Sequence, residues 1–237
     1  KTHTLIDHEQ IKVIAFDADD TLWENETLFR QAEQRFCELM GGFLNAATCE
    51  KELFAIEMKN LPLYGYGIKP FTLSLVEAAI SLSEGRVTND ILQKIIKLGQ
   101  DMLQAPNPLL AGVDEVLTKL KGSYRLVVAT KGDLLDQERK LERSGLAKYF
   151  HHIEVMSDKK PKNYQKLVAH LDINPREFLM VGNSVNSDIL PVLEIGASTV
   201  HIPFHTTWAH EVGIEPIDHP KYVKINSMNE LRSLLGF

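Results

Sequence analysis

The sequence has little cysteine, no long apolar run and no excess of positive charge. Two cysteines, Cys37 and Cys49, are too few for a disulfide framework, so we expect a reducing compartment, the cytoplasm. No apolar run has the length of a membrane span, and the polar N-terminal residues KTHTLIDHEQIK carry no apolar signal region. A net charge of -6 argues against nucleic acid and against an anionic membrane as partners.

Short apolar segments alternate with helical patterns from about residue 110 to the C-terminus. The predicted strands are residues 13–16, 124–130, 153–156, 178–183, 198–202 and 222–225. The predicted helices are residues 112–121, 134–144, 161–171, 187–196 and 229–235. Buried strands that alternate with helices are typical of a parallel sheet covered on both faces. We therefore predict an α/β fold.

Residues 24–105 interrupt this alternation and contain no convincing strand. Apolar residues recur there at helical spacing, Thr88 can cap one of the helices, and the segment FTLSLVEAAISL reads as another. We predict that residues 24–105 form an all-helical domain, and that residues 1–23 and 106–237 form the α/β core. The alternative, crossover helices lying on the sheet, needs an unusually long connection.

Polar residues follow four of the predicted strands, at the edge of a parallel sheet where ligands bind. In chain order these residues are Asp17 and Asp19; Thr130, Lys131 and Gly132; Lys159 and Lys160; and Gly182, Asn183, Ser184 and Asp188. Their functional groups complement one another, because they include carboxylates, an amide, a hydroxyl and ammonium groups. Four polar strand ends of complementary chemistry indicate one shared site.

The oxygen-bearing side chains in this set suit a hard cation, and the others suit an anion. Asp17, Asp19, Asn183 and Asp188 offer the oxygen ligands that Mg²⁺ prefers. Thr130, with the backbone N–H groups of Lys131 and Gly132, can bind an anion. Lys159 and Lys160 can balance phosphate charge. The candidate phosphate-binding residues are therefore Thr130, Lys131, Gly132, Lys159 and Lys160.

Asp17 and Asp19 are the candidates for covalent and acid–base chemistry. A carboxylate such as Asp17 can attack phosphorus and form an aspartyl-phosphate. Asp19, two residues later, can protonate the leaving oxygen and then activate water. We expect Asp19 to be protonated for part of the cycle through coupling to Asp17. Thr130 and Lys159 complete the predicted catalytic set.

These motifs resemble those of the haloacid dehalogenase superfamily and occur in its order. DADDT (17–21) resembles the first motif, Thr130 in VVATKGD the second, Lys159 or Lys160 in SDKKPKNY the third, and VGNSVNSD the fourth. The resemblance implies a Rossmann-like core, a helical cap inserted after the first motif, Mg²⁺, and a nucleophile and acid–base pair at Asp17 and Asp19. The second aspartate is typical of the phosphatase and nucleotidase branch, so the resemblance implies hydrolysis of phosphate monoesters of small metabolites.

The sequence departs from the family pattern at one position and leaves another open. Asn183 stands where the fourth motif often has aspartate, and Asp188 can supply the missing charge. Lys159 is nearer the strand end than Lys160, so we favour Lys159 as the motif lysine.

Other functions and sites remain open at this stage. Phosphoryl transfer to another acceptor, as in mutases, and a non-catalytic binding role are the alternative functions. His201, His205 and His210 have no compact zinc spacing, so we expect them to pack in a loop. The sequence determines neither the substrate nor the oligomeric state.

Overall fold

The computed structural model describes residues 6–215 and 217–237, which group into two compact units. The first unit takes in the chain up to Glu26, together with Asn107–Lys131 and Gln137–Phe237. The second takes in Thr27–Pro106 and Gly132–Asp136. The second unit thus holds most of the predicted helical domain and also a short segment that the sequence analysis assigned to the core. The role of residues 24–105 as a cap stays a prediction.

A parallel six-stranded sheet forms the centre of the first unit, with the strand order β3-β2-β1-β4-β5-β6. The strands are β1 (Val13–Phe16), β2 (Arg125–Lys131), β3 (His152–Met156), β4 (Phe178–Gly182), β5 (Ser198–His201) and β6 (Tyr222–Lys224). Each lies within two residues of its predicted bounds. The predicted α/β fold with a Rossmann-like parallel sheet is confirmed.

Strand β1 is buried on both faces because helices cover the sheet on each side. The helices after β1 are α1 (Glu26–Leu39), α2 (Ala46–Tyr64), α3 (Ile68–Leu82), α4 (Asn89–Gln104), α5 (Val113–Leu120), α6 (Leu134–Ser144), α7 (Pro161–His170), α8 (Leu190–Glu194) and α9 (Met228–Leu234). Ile14 and Phe16 belong to the core cluster that includes apolar residues of α5 and α9. Val13 and Ala15 belong to the cluster that includes residues of α7. This alternation follows from the period of two along a strand.

The second unit contains α1 through α4, apart from Glu26 at the start of α1, and has its own apolar core. Thr88 caps α4, as predicted, by accepting a hydrogen bond from the N–H of Ile91 at 3.3 Å. Helix α2 was not predicted. It begins after Asn45, whose side chain accepts from the N–H of Thr48 at 2.9 Å. Its apolar stripe is weak and Pro62 lies within it, so helical periodicity did not reveal it.

The helix predicted over residues 187–196 is observed as two consecutive helices, a π-helix and then α8, which ends at Glu194. Residues Val185–Ile189 form the π-helix, and the N–H of Leu190 donates to the carbonyl of Val185. Pro191 lies at the first turn of α8, where its missing N–H is tolerated. Single π-helical turns occur often at functional sites. None of the helices in the described parts of the chain has both the length and the apolarity needed to cross a bilayer.

Candidate active site

The site is built at the carboxyl ends of β1, β2 and β4, within the first unit. Asp17 follows β1 and stays in register with β4, because its N–H donates to the carbonyl of Val181 at 2.9 Å. Thr130 and Lys131 end β2, and Asn183 directly follows β4. Since β1 lies between β2 and β4, these residues converge around Asp17. The topology therefore brings together the side chains that the sequence analysis singled out at these strands.

The central contact of the site is the ammonium group of Lys159 between two carboxylates. Its Nζ donates to Oδ1 of Asp17 at 2.6 Å and to Oδ1 of Asp188 at 2.6 Å. Burial opposes the positive charge of Lys159, but Asp17 and Asp188 together raise its pKa well above the usual range. Burial raises the pKa of Asp17 to about 8, and the charge of Asp188 adds to this, while Lys159 acts in the opposite direction. The cluster therefore carries two acidic groups and one ammonium group.

Further hydrogen bonds reach both carboxylates. The hydroxyl of Thr21 lies 3.3 Å from Oδ2 of Asp17 and 3.4 Å from Oδ1 of Asn183. The N–H of Ser184 donates to Oδ2 of Asp188 at 3.0 Å. Each carboxylate therefore has a hydrogen-bond partner besides Lys159. Asp188, which the sequence analysis treated as a metal ligand or a source of negative charge, contacts Lys159 directly.

The environment of Asp19 differs from the one expected. Its carboxylate accepts hydrogen bonds from Nε1 of Trp23 at 2.8 Å, Nε2 of Gln137 at 2.9 Å and Nζ of Lys140 at 3.1 Å. Burial favours the neutral acid, but Lys140, Trp23 and Gln137 outweigh it and lower the pKa of Asp19. The main charge partner of Asp19 is Lys140, whereas the sequence analysis expected coupling to Asp17. Proton donation by Asp19 stays a prediction.

Asp20 shapes the turn that carries Asp19. Its carboxylate accepts from the N–H of Asn25 at 2.7 Å and from the N–H of Glu26 at 3.0 Å, at the start of α1. Its backbone has a positive φ of 64°, a conformation that aspartate adopts more readily than most residues. Asp20 is therefore structural in this site.

Thr130 is buried in the site, whereas the side chain of Lys131 is bound to Ser187 and Glu211. Thr130 is 1% exposed, and its hydroxyl accepts from Nε2 of Gln137 at 3.0 Å. The Nζ of Lys131 instead contacts Oγ of Ser187 at 2.9 Å and the carboxylate of Glu211. Gly132 has a φ of 114° and groups with the second unit. Phosphate binding by Thr130, Lys131 and Gly132 stays a prediction.

Lys159 and Lys160, adjacent in the sequence, have opposite environments. The side chain of Lys159 is 1% exposed, whereas that of Lys160 is 66% exposed. Lys160 caps the start of α7, and its Nζ lies 4.0 Å from Oδ2 of Asp158. The geometry favours Lys159 for contact with phosphate and gives Lys160 no contact with Asp17 among the described interactions.

The sequence analysis missed Gln137, Lys140 and Glu211. Gln137 and Lys140 lie one turn apart on α6, directly after the second motif, where helical spacing could have revealed them. Glu211 comes from the connection between β5 and β6. Its pKa is lowered to about 2, because Lys131, Ser184 and Ser187 outweigh the effect of burial. No sequence signal pairs it with Lys131.

The histidines predicted to pack in a loop have separate surroundings. The buried His201 donates from Nε2 to the carbonyl of Asn183 at 3.0 Å, and its Nδ1 lies 3.1 Å from the hydroxyl of Tyr222. His205 contacts Thr206. Over residues 6–215 and 217–237, no group of three or more histidine, cysteine, aspartate or glutamate side chains is arranged to hold a metal.

The donor set around Asp17 nevertheless suits a hard cation. Asp17, Asp188 and Asn183 offer oxygen atoms only, and the two buried carboxylates face one ammonium group. A divalent cation would offset their remaining negative charge. The side chain of Asp19 is bound by Trp23, Gln137 and Lys140, which makes it the least suited of the four predicted ligands.

Known proteins resemble this chain over almost its whole length. The model of the haloacid dehalogenase-like hydrolases matches residues 11–196. The crystal structure of a haloacid dehalogenase-like family hydrolase from Xanthomonas campestris is 35% identical, covers 96% of this chain and 94% of its own, and superposes with a TM-score of 0.84.

Two curated relatives carry the names of phosphatases. The N-acylneuraminate-9-phosphatase of Homo sapiens is 23% identical, with 95% of this chain and 94% of that protein covered. The glyceraldehyde 3-phosphate phosphatase of Pyrococcus abyssi is 28% identical, with 80% of each chain covered. The two names give different phosphorylated substrates.

Proposed function

Because the chain belongs to the haloacid dehalogenase-like hydrolase family, we propose that it is a Mg²⁺-dependent phosphatase of small metabolites. It would hydrolyse phosphate monoesters through an aspartyl-phosphate on Asp17. Phosphatase relatives that act on different metabolites support this reaction, and they support no single substrate. The bridge from Lys159 to Asp17 and Asp188, at 2.6 Å on each side, is the observation that carries the proposal.

Asp17 is the nucleophile in this proposal, and Lys159 and Thr130 hold the phosphoryl group. An Oδ atom of Asp17 attacks phosphorus, the ester oxygen leaves, and water then cleaves the aspartyl-phosphate. Lys159 pairs directly with Asp17, opposes the effect of burial on the pKa of Asp17, and balances charge on the phosphoryl oxygens. Thr130 is buried on β2, the strand next to β1, and its hydroxyl can donate to a phosphoryl oxygen.

Asp19 handles the proton at the leaving oxygen in this proposal. Trp23, Gln137 and Lys140 fix its carboxylate in one orientation, which suits a group that must meet an ester oxygen repeatedly. The same contacts lower its pKa, so Asp19 serves more readily as the base that activates water than as the acid.

Asp17, Asp188 and Asn183 would hold the Mg²⁺ ion. When bound, the ion would neutralise negative charge shared by the carboxylates and the substrate phosphate. Members of this family generally use Mg²⁺, and the all-oxygen donor set fits that ion.

The location and the role of the helical unit are also part of the proposal. Cys37 and Cys49 are free and buried, which supports a reducing compartment such as the cytoplasm. We assign the choice of metabolite to residues 24–105, because these helices carry none of the four motifs.

Release of phosphate from an aryl phosphate tests the reaction directly. We expect turnover with Mg²⁺, loss of turnover with excess EDTA, and recovery when Mg²⁺ is restored. A screen over phosphorylated metabolites then identifies the substrate class. Absence of phosphate release from both the aryl phosphate and the metabolite panel would refute the proposed function.

A further inference from the structure

The carboxylate of Glu211 sits in a pocket of three donors beside the catalytic residues. Lys131 Nζ and Ser184 Oγ both bond to it, and Ser187 Oγ lies 2.5 Å from its Oε2. Lys131 Nζ also donates to Ser187 Oγ at 2.9 Å. We call these three donors, Lys131, Ser184 and Ser187, the anion cradle. The side chains of Lys131 and Glu211 are each 13% exposed, so water screens their attraction only weakly.

The turn that carries Glu211 is anchored on the π-helix. Nδ2 of Asn186 donates to the carbonyls of His210 at 3.3 Å and Val212 at 2.9 Å, on either side of Glu211. A Cβ on Gly213 would lie 2.2 Å from Cγ1 of Val185, so this turn packs closely against the π-helix. Glu211 therefore reaches the cradle from a defined position.

The cradle adjoins the reacting groups and has the chemistry of a phosphate site. Ser187 precedes Asp188, and Lys131 follows Thr130 in the chain. An ammonium group and two hydroxyls are donors that phosphate or carboxylate oxygens accept. In this structure the carboxylate of Glu211 accepts hydrogen bonds from these donors. The positive charge of Lys131 is neutralised where a phosphate would otherwise meet it.

We propose that Glu211 competes with anionic ligands for the anion cradle and so lowers the affinity of the site for phosphate. Lys131 then contacts a bound anion only when Glu211 moves aside. The place of the anion rests on the proposed function, but the competition itself does not require turnover. If Glu211 were merely a structural clamp, its removal would weaken anion binding or leave it unchanged. The two roles therefore predict different signs.

Calorimetric titration with inorganic phosphate, in the presence of Mg²⁺, measures whether removal of the Glu211 carboxylate tightens or weakens phosphate binding. We expect Glu211→Gln to bind phosphate about tenfold more tightly than the wild type, which corresponds to a change of ~1.4 kcal/mol in the binding free energy. Glu194→Gln removes an exposed carboxylate of the same unit and should leave affinity unchanged. The double variant Lys131→Met/Glu211→Gln should not show the tighter phosphate binding expected of Glu211→Gln. Unchanged or weaker binding in folded Glu211→Gln would overturn the proposal.

Hydrogen exchange on the wild type tests the same proposal without any substitution. Saturating phosphate should speed amide exchange in the turn over residues 208–213, because Glu211 leaves the cradle. Unchanged or slower exchange there would overturn the proposal. A wild type that releases phosphate from substrates, but whose phosphate affinity does not respond to Glu211→Gln, would keep the phosphatase function and reject the competition.

Discussion

Gly182 and Asp188 approach each other so closely that no side chain fits at position 182. A Cβ placed on Gly182 would lie 2.3 Å from Oδ2 of Asp188. The strand end must therefore be glycine for Asp188 to reach Lys159, to which it bonds at 2.6 Å. This links the glycine of the fourth motif to the charge arrangement of the site.

Gly182→Ala should displace the Asp188 carboxylate. The added methyl group overpacks a buried strand, so we expect a loss of about 1–3 kcal/mol in the free energy of unfolding. Turnover should fall more than tenfold, because Lys159 loses one of its carboxylates. Chemical denaturation and steady-state kinetics measure the two effects. Gly122→Ala is the control, since a Cβ there meets no atom within 4 Å. Native-like turnover in Gly182→Ala would contradict the prediction.

Asp17→Asn should abolish turnover while the protein stays folded. The amide keeps the shape of the side chain but is a very poor nucleophile, and we expect a loss of about 10⁴-fold or more. Kinetics with an aryl phosphate, together with circular dichroism, check activity and folding. The exposed Asp172 offers the matched substitution Asp172→Asn, which should keep wild-type kinetics. A folded Asp17→Asn protein with substantial turnover would rule out Asp17 as the nucleophile.

Lys159→Met should be far more harmful than Lys160→Met. Removal of the buried ammonium leaves Asp17 and Asp188 uncompensated, and such changes cost about 3–5 kcal/mol of stability. Lys160 is mostly exposed, so its substitution should change stability by less than about 0.5 kcal/mol. Thermal melting and kinetics of the two variants give the comparison. Equal losses in both would show that the buried bridge has no special role.

Asn183→Asp should tighten Mg²⁺ binding. A carboxylate attracts the ion more strongly than an amide oxygen, and a net gain of ~1.4 kcal/mol corresponds to tenfold in affinity. Titration of tryptophan fluorescence against Mg²⁺ measures this without turnover. Asn183→Ala should weaken binding less than Asp17→Ala. Unchanged affinity in Asn183→Asp would mean that Asn183 is not a ligand and that Asp188 is the ligand from this loop.

Glu57 on α2 should make stability depend on pH. Burial raises its pKa to about 8, and Glu33 adds to this, while Arg30 acts in the opposite direction. The folded state therefore holds a proton on Glu57 that the unfolded state has released, between the unfolded pKa of about 4.5 and the folded pKa of about 8. This part of the stability is present at low pH and is lost as the pH rises through that window.

Glu57→Gln removes this titration, so the variant should lose less stability than the wild type between pH 5 and pH 9, by ~1–2 kcal/mol. Thermal melting across the pH range measures the difference. Glu52→Gln on the same helix makes the same charge change and is the control. A pH curve for Glu57→Gln that runs parallel to that of the wild type would contradict the prediction.

The sequence alone determined the α/β class, the strands and the set of candidate site residues. Asp17 and Thr130 could be found because buried strands have a strong apolar pattern and the polar residues directly follow it. The helical insert was also predictable in outline. Helix α2 was not, because only Cys49, Leu53 and Asn60 of its residues are buried.

Only the tertiary structure decided which side chains meet. Lys159 and Lys160 are neighbours in the chain, and the backbone direction into α7 sends one inward and the other to solvent. Glu211 lies 80 positions from Lys131 and pairs with it because a loop after β5 folds back on the end of β4. Local patterns encode strands and helices, whereas these contacts depend on side-chain direction and on packing between distant segments.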